Sequence, residues 1–185
     1  YIAPLYSQAK QVAWDYLRRF AEPLMSASNE TELRVELVNG ARIRLYGADA
    51  PDNLRGLALD GVVLDEVADM KPRVWAEVIR PALSDRQGWA VFIGTPKGHN
   101  SFYDIWQSAQ GNPEWFSLRL KASDTHIIAE DELASAKAQM SEDQYAQEWE
   151  TSFEAAIQGA YYGKELLEAE EQGRIGNVPV EKGLP

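Results

Sequence analysis

The run Gly61-Val62-Val63-Leu64 ends abruptly on two adjacent acids, Asp65-Glu66. A second run, Trp89-Ala90-Val91-Phe92-Ile93, ends on Gly94-Thr95-Pro96-Lys97-Gly98. Short apolar runs without alternation are what strands buried on both faces of a parallel sheet require. Between them, residues 72–79 read as a helix, with Pro72 suited to its first turn. Strand, helix, strand is the crossover that parallel pairing demands. In open sheets of this kind ligands bind outside the carboxyl ends of the strands. The two polar strand ends are therefore where chemistry is expected.

The rest of the chain fits the same plan. Tyr1-Ile2-Ala3-Pro4 reads as a short buried strand. Residues 7–20 read as a helix, with Ser7 as N-cap and Ala9, Ala13, Tyr16, Leu17 and Phe20 on one stripe. Pro23 and the polar stretch 26–32 close it. Alternation on both sides of Asn39-Gly40 marks a β-hairpin over 33–46. A two-residue loop would place Leu37 opposite Arg42 and mix the faces. A three-residue loop, Val38-Asn39-Gly40 with Gly40 left-handed, pairs Val35 with Ile43, Leu33 with Leu45 and Glu36 with Arg42. That register keeps one face apolar and is preferred. Downstream, residues 102–109 read as a helix, 116–121 as a third strand and 129–140 as a helix with an acidic first turn. Another helix begins at Ser141, in a capping box with Gln144, and carries Tyr145, Trp149 and Phe153 toward a core. The expected class is α/β, a mostly parallel sheet flanked by helices with an antiparallel hairpin near 33–46. Residues 1–158 form one domain, and 159–185 a linker or lead-in to another.

Composition removes several functions. The 18 Lys+Arg against 29 Asp+Glu give a net charge of −11, which argues against a broad basic grip on nucleic acid. Any DNA contact must be local, with Lys97 a candidate, or must belong to another domain. The absence of cysteine excludes disulfides and thiolate metal sites. No apolar run approaches the roughly 18–20 residues that span a bilayer. His99 and His126 have no ligand spacing and are expected in loops or on the surface. The chain opens without Met inside a strand-like segment and stops in a turn-like Gly183-Leu184-Pro185, as a piece cut from a longer protein would.

Asp65 and Glu66 suit a nucleoside-triphosphatase, in which one acid holds a magnesium ion and the next polarises the attacking water. The same pair also suits a loop opening or a helix cap. Thr95, at a strand end, offers a hydroxyl to a terminal phosphate or its attacking water; Gly94-Thr95-Pro96 is equally an ordinary turn. Arg55, in Leu54-Arg55-Gly56, is ten residues before Asp65, where an arginine can stabilise charge in phosphoryl transfer or simply sit on the surface.

Taken in order, Tyr-Ile-Ala-Pro, Leu-Arg-Gly, Val-Val-Leu-Asp-Glu, Ile79-Arg80-Pro81-Ala82-Leu83 and Phe-Ile-Gly-Thr-Pro-Lys-Gly, together with the Phe102-Tyr103 helix, resemble the ATPase half of large terminase subunits of tailed phages and prophages. The resemblance runs roughly from residue 1 to 163 and includes Gly159-Ala160-Tyr161-Tyr162-Gly163. It implies a P-loop NTPase-like (ASCE-type) fold and an ATP-hydrolysing motor that packages viral double-stranded DNA, with an endonuclease domain elsewhere. It assigns Asp65 to the Walker B acid holding Mg²⁺ through water, and Glu66 to the catalytic glutamate. Gly94, Thr95 and Pro96 match the motif coupling hydrolysis to DNA movement, and Arg55 is an arginine-finger candidate. Implied partners are double-stranded DNA, the portal protein, the small terminase subunit and further copies in a ring. Implied localisation is the bacterial host cytoplasm and, transiently, the procapsid portal, with no membrane.

One departure stands out. No Gly-x-x-x-x-Gly-Lys-[Ser/Thr] loop occurs in the 185 residues. The chain alone is therefore expected to bind ATP poorly and to hydrolyse it negligibly. A helicase-like P-loop ATPase fragment and a non-catalytic prophage remnant are the rival readings.

Overall fold

The computed structural model describes residues 1–154, 165–166, 168–169 and 172–176. It divides into two compact units, residues 1–96 with 100–117, and residues 97–99 with those from 118 onward.

In the first unit, strand β1 (Ile2–Ala3) leads into a helix of three pieces: α1 (Tyr6–Ala9), a π-helical turn over Lys10–Trp14, and α2 (Asp15–Ala21). A π turn takes in one extra residue, which rotates everything after it by about 100° relative to a plain α-helix. Ala9, Trp14 and Ala21 are consequently the buried positions. Tyr16 and Phe20, expected in the core, are 60% and 74% exposed and stack on one another. The N-cap also differs: Leu5 occupies it, without a side-chain cap, and Ser7 lies inside the helix.

Strands β2 (Met25–Asn29), β3 (Arg34–Leu37) and β4 (Arg42–Arg44) make an antiparallel sheet in the order β2-β3-β4. Val35 faces Ile43 and Glu36 faces Arg42, and the Leu45 N–H donates to the Leu33 carbonyl at 3.0 Å. This is the register of the three-residue loop, with Gly40 at φ +83. Leu33, Val35 and Leu45 are all but fully buried, so the apolar face did select the register. Strand β2 was not expected. Its sequence, Met-Ser-Ala-Ser-Asn, has little strand propensity, and its pairing with β3 supplies the structure.

Strands β5 (Tyr46–Gly47), β6 (Gly61–Leu64) and β7 (Trp89–Phe92) join β1 in a parallel sheet ordered β5-β1-β6-β7. The crossover from β6 to β7 runs through a 3-10 turn (Val67–Asp69), a π-helical stretch (Val74–Ile79) and α3 (Arg80–Ser84). Pro81 falls in the first turn of α3, where its missing N–H is tolerated. Ile2, Leu54, Val62, Leu64, Val74, Val78 and Ile79 form the core between sheet and crossover. Ala3, Ala9, Trp14, Leu33, Val35 and Leu45 form a second core on the side of the antiparallel sheet.

Two strand expectations need correction. β7 is covered on one face only: Trp89 and Val91 are exposed, while Phe92 packs edge-on to Trp75 at 4.6 Å and stacks on Trp115 at 5.7 Å. It is an edge strand among the described residues, and the face carrying Trp89 and Val91 is open to solvent. Residues 116–121 form no strand. Phe116 and Leu118 alternate as a strand's residues would, but alternation without a partner's hydrogen bonds does not hold an extended chain in a sheet. Helix α4 (Ser101–Ala109) is as expected and is capped by the Asn100 side chain, which accepts from Phe102 and Tyr103.

The second unit contains α5 (Ala122–Thr125), α6 (Glu130–Gln139) and α7 (Glu142–Glu148). The first turn of α6 carries Glu130, Asp131 and Glu132. Ser141 and Gln144 form the expected capping box. Tyr145 stacks on Trp149, and Phe153 is 5% exposed. Residues 159–163 and most of the 159–185 lead-in lie outside the described residues.

Leu64 is 1% exposed at the centre of the first core. Leu64→Ala is expected to cost about 2–5 kcal/mol of unfolding free energy in urea titration. Val38→Ala, at a loop residue that is 71% exposed, is expected to stay within about 0.5 kcal/mol.

Candidate functional site

The site is set by where β6 stops. The Asp65 N–H donates to the Ile2 carbonyl at 2.9 Å on one side of β6, and on the other the Ile93 N–H donates to the Leu64 carbonyl at 2.9 Å. With Leu64 facing Phe92 in parallel register, the Asp65-Glu66 acids and the Gly94-Thr95-Pro96 turn leave neighbouring strands at the same sheet end. That adjacency is what the sequence required of them.

The two strand ends also touch. The Val67 N–H donates back to the Ile93 carbonyl at 3.1 Å. A Cβ built on Gly94 would stand 3.1 Å from the Val67 nitrogen and 3.4 Å from the Glu66 Cα. Any side chain at this position would have to push the acids' backbone back by a few tenths of an ångström. Thr95 is half-buried and Pro96 buried.

Glu66 has φ 52 and ψ 48, the left-handed region, which costs a non-glycine residue about 1 kcal/mol or more. The bonds of its neighbours hold it there: its own N–H donates to Asp65 Oδ1 at 3.1 Å, and its carbonyl accepts from the Asp69 N–H at 2.9 Å. The kink takes Glu66 off the line of β6. Asp65 is half-buried, and its other oxygen, Oδ2, accepts from the Tyr1 phenol. Burial, then the hydrogen bond to Asp65 and the charges of Asp65 and Glu66, push the Tyr1 phenol above its ordinary value. Tyr1 is thus a neutral donor throughout the physiological range. Sequence reasoning gave it no role; the signal was a hydroxyl-bearing side chain at the head of the strand that flanks the acids.

Arg55 is held elsewhere. It follows a 3-10 turn (Pro51–Leu54), and its Nε donates to Asp52 at 3.0 Å, with Glu77 3.8 Å away. Arg73 bonds the same Asp52 oxygen at 3.0 Å. The Arg55 hydrogen bond, then the charge of Arg73, hold the Asp52 carboxyl below its ordinary range. The guanidinium is therefore engaged by Asp52 and Glu77 on the surface rather than directed to Asp65. His99 and His126 are exposed as expected, with His99 3.0 Å from Glu154.

No group of three or more metal-ligating side chains exists among the described residues. Magnesium does not need one, since it commonly takes one or two carboxylates and completes its shell with water and substrate phosphate. Asp65 has two of its roughly four acceptor positions occupied, which leaves hard oxygen lone pairs for such a shell. Asp65 thus fits a hydrated magnesium ion whose other ligands are water or substrate oxygens. The cavity of about 200 Å³ beside the site has mostly apolar walls, among them Leu64, Val67, Met70, Trp75 and Ile105, with Lys71, Ser101 and Asp104 also lining it.

Comparisons with known proteins converge on one family. Residues 1–176 match the family described as terminase large subunit, T4likevirus-type, N-terminal. The large terminase subunit of Thermus phage G20c is 54% identical over 65 residues, covering 35% of this chain and 13% of that protein. The large terminase subunit of Escherichia phage T5 is 26% identical over 159 residues, covering 82% of this chain and 36% of that protein. The chain thus spans about a third or less of the length of these relatives. Among solved structures, the large terminase ATPase domain of Thermus phage P74-26 superposes with a TM-score of 0.69 at 30% identity, covering 82% of this chain and 74% of that one. The large terminase of another thermophilic bacteriophage, in complex with ADP, shares the fold, with a TM-score of 0.64 at 14% identity over 82% of this chain and 39% of that one. A parallel sheet whose acid-bearing strand lies beside a Gly-Thr-Pro strand end is thus set in the fold of these proteins, and the chain belongs to the phage terminase large-subunit family.

Proposed function

We propose that this chain is the hydrolytic portion of an ATP-driven motor that moves viral double-stranded DNA into procapsids. The observation that carries the reading is the adjacency of Asp65-Glu66 to Gly94-Thr95-Pro96 across the β6–β7 pairing. In this reading Asp65 holds the water shell of a magnesium ion, which when bound neutralises charge on the nucleotide's phosphates. Glu66, kinked off the strand line, accepts a proton from the attacking water or orients it. The Thr95 hydroxyl hydrogen-bonds the terminal phosphate or that water. Gly94 transmits the result, because the preceding Ile93 carbonyl accepts from the Val67 N–H and a methyl added at Gly94 would press on the Val67 nitrogen. Loss of the phosphate would thus be felt in the turn without an intervening side chain.

Arg55 enters the reading as a finger parked on Asp52, so its use requires the exchange of that ion pair for a phosphate. Solvent-exposed pairs of this kind contribute little to stability, which makes the exchange easy. For the whole protein, double-stranded DNA, the portal protein, a small terminase subunit and further copies in a ring are the proposed partners. Its proposed place is the host cytoplasm and the procapsid portal, with nuclease activity in another domain. Residues 1–158 would be the motor portion and 159–185 the lead-in to that other domain. Among the described residues, no helix is long and apolar enough to cross a membrane.

Hydrolysis also needs the phosphate-cradling loop, which the 185 residues lack. In the full-length subunit, Glu66→Gln is expected to lower magnesium-dependent ATP turnover by about 10²–10⁴-fold with folding retained. The 185-residue chain alone is expected to show no turnover above background. Magnesium-dependent turnover by this chain that disappears in Glu66→Gln would overturn its proposed inactivity, whereas full activity of the variant subunit would remove the role of Glu66.

The contact at Gly94 is open to a separate check. In Gly94→Ala the new methyl must displace the Val67 nitrogen by a few tenths of an ångström. The amide resonances of Glu66 and Val67 should shift well beyond those of α4, and stability should fall by about 1 kcal/mol. Unmoved Glu66 and Val67 resonances would eliminate the mechanical link.

A further inference from the structure

Asp65 is held by more than its own strand. Its backbone N–H is fixed by Ile2 at 2.9 Å, and its two carboxylate oxygens accept from different donors, Oδ1 from the Glu66 N–H and Oδ2 from the Tyr1 phenol. Tyr1 is itself immobilised. Its carbonyl accepts from the Tyr46 N–H at 2.9 Å, and its ring packs against the second core, which includes Ala3, Trp14 and Leu33. The donor therefore arrives along β1, fixed by β5 and the core, while the acceptor sits at the end of β6.

An aspartate at a strand end with one local hydrogen bond can turn about χ1 and χ2. A second bond from a rigid donor on the neighbouring strand leaves one rotamer. It also fixes which lone pairs stay open, since a carboxylate has about four acceptor positions and two are taken. Side chains that orient a metal-holding carboxylate in this way typically change metal affinity by about 10–100-fold when removed.

We propose that Tyr1 is a positioning residue for Asp65: its phenol, brought in by β1, holds the carboxylate in the single orientation that presents its open lone pairs to a hydrated divalent cation. This rests on the proposed role of Asp65. Tyr1 touches neither nucleotide nor metal in this arrangement and acts through Asp65 alone. The core contacts of its ring do not require the hydroxyl, so Tyr1→Phe removes the orienting bond and keeps the packing.

The test uses the 185-residue chain with Mn²⁺ as the paramagnetic probe. In Tyr1→Phe, the amide spectrum of β1, β5 and β6 should persist, while the three-bond couplings that report χ1 of Asp65 pass from one rotamer to an average. The Mn²⁺ concentration that halves the Glu66 amide signal should rise about tenfold. Asp65→Asn should abolish the broadening. If Asp65→Asn does so while Tyr1→Phe changes neither couplings nor midpoint, the positioning role is wrong and the reading of Asp65 stands. Broadening that survives Asp65→Asn sinks the metal reading, and the proposal with it. Should Tyr1→Phe fail to fold, the wild type decides: a slowly exchanging Tyr1 hydroxyl proton with contacts to the Asp65 methylene supports the role, and its absence overturns it.

Discussion

Everything functional in this chain depends on β6 being held from both sides in parallel register. The Asp65 N–H to Ile2 bond and the Ile93 N–H to Leu64 bond, both 2.9 Å, decide where the strand ends and what stands beside that end. Apolar burial of Val62 and Leu64 locks the register, because a slip of one residue would expose them and bury their neighbours. Two partly buried carboxylates then appear where the strand can no longer be apolar. Their position is thus a consequence of core packing, and their chemistry a consequence of that position.

Two local features reinforce each other at that end. Glu66 adopts a left-handed conformation unfavourable to its type, and Gly94 lacks the Cβ that would crowd the Val67 nitrogen next to it. The Val67–Ile93 hydrogen bond exists only because the chain kinks at Glu66 and the turn passes close by. Relieving the strain would break that bond, and a larger residue at Gly94 would push the kink away. The acids and the Gly-Thr-Pro turn thus share a hydrogen bond and a close backbone approach, although their residues come from separate strands.

The sequence made part of this legible. The β6 boundaries and the hairpin register followed from apolar runs and from a turn whose glycine had to be left-handed, both local and strongly patterned signals. What escaped it was set by tertiary context. The π turn at Lys10–Trp14 buried Trp14 and turned out Tyr16 and Phe20, and no composition signal marks such a turn. β2 exists through pairing alone, and residues 116–121 failed to become a strand for lack of it. At the site, Asp65, Glu66 and Gly94 were readable as residues at strand ends. The Tyr1 bond was not, since it joins residues 64 apart in sequence, and Arg55 proved to be committed to Asp52.

Charge explains why these residues make only part of a phosphate site. Asp65 and Glu66 put negative charge where the reading places a triphosphate, and a net charge of −11 adds no compensating field. Two unit charges about 4 Å apart at an effective dielectric near 20 interact by about 4 kcal/mol, so bare carboxylates would repel the nucleotide they serve. A divalent cation between carboxylate and phosphate reverses that sign, and a lysine with backbone N–H groups on the far side of the phosphates supplies the remainder. Within this chain Arg55 is already neutralised by Asp52 and Glu77. In the proposed reading the carboxylates therefore act on a nucleotide that cations hold, and do not hold it themselves. Under that division of labour the orientation of Asp65 matters in addition to its presence.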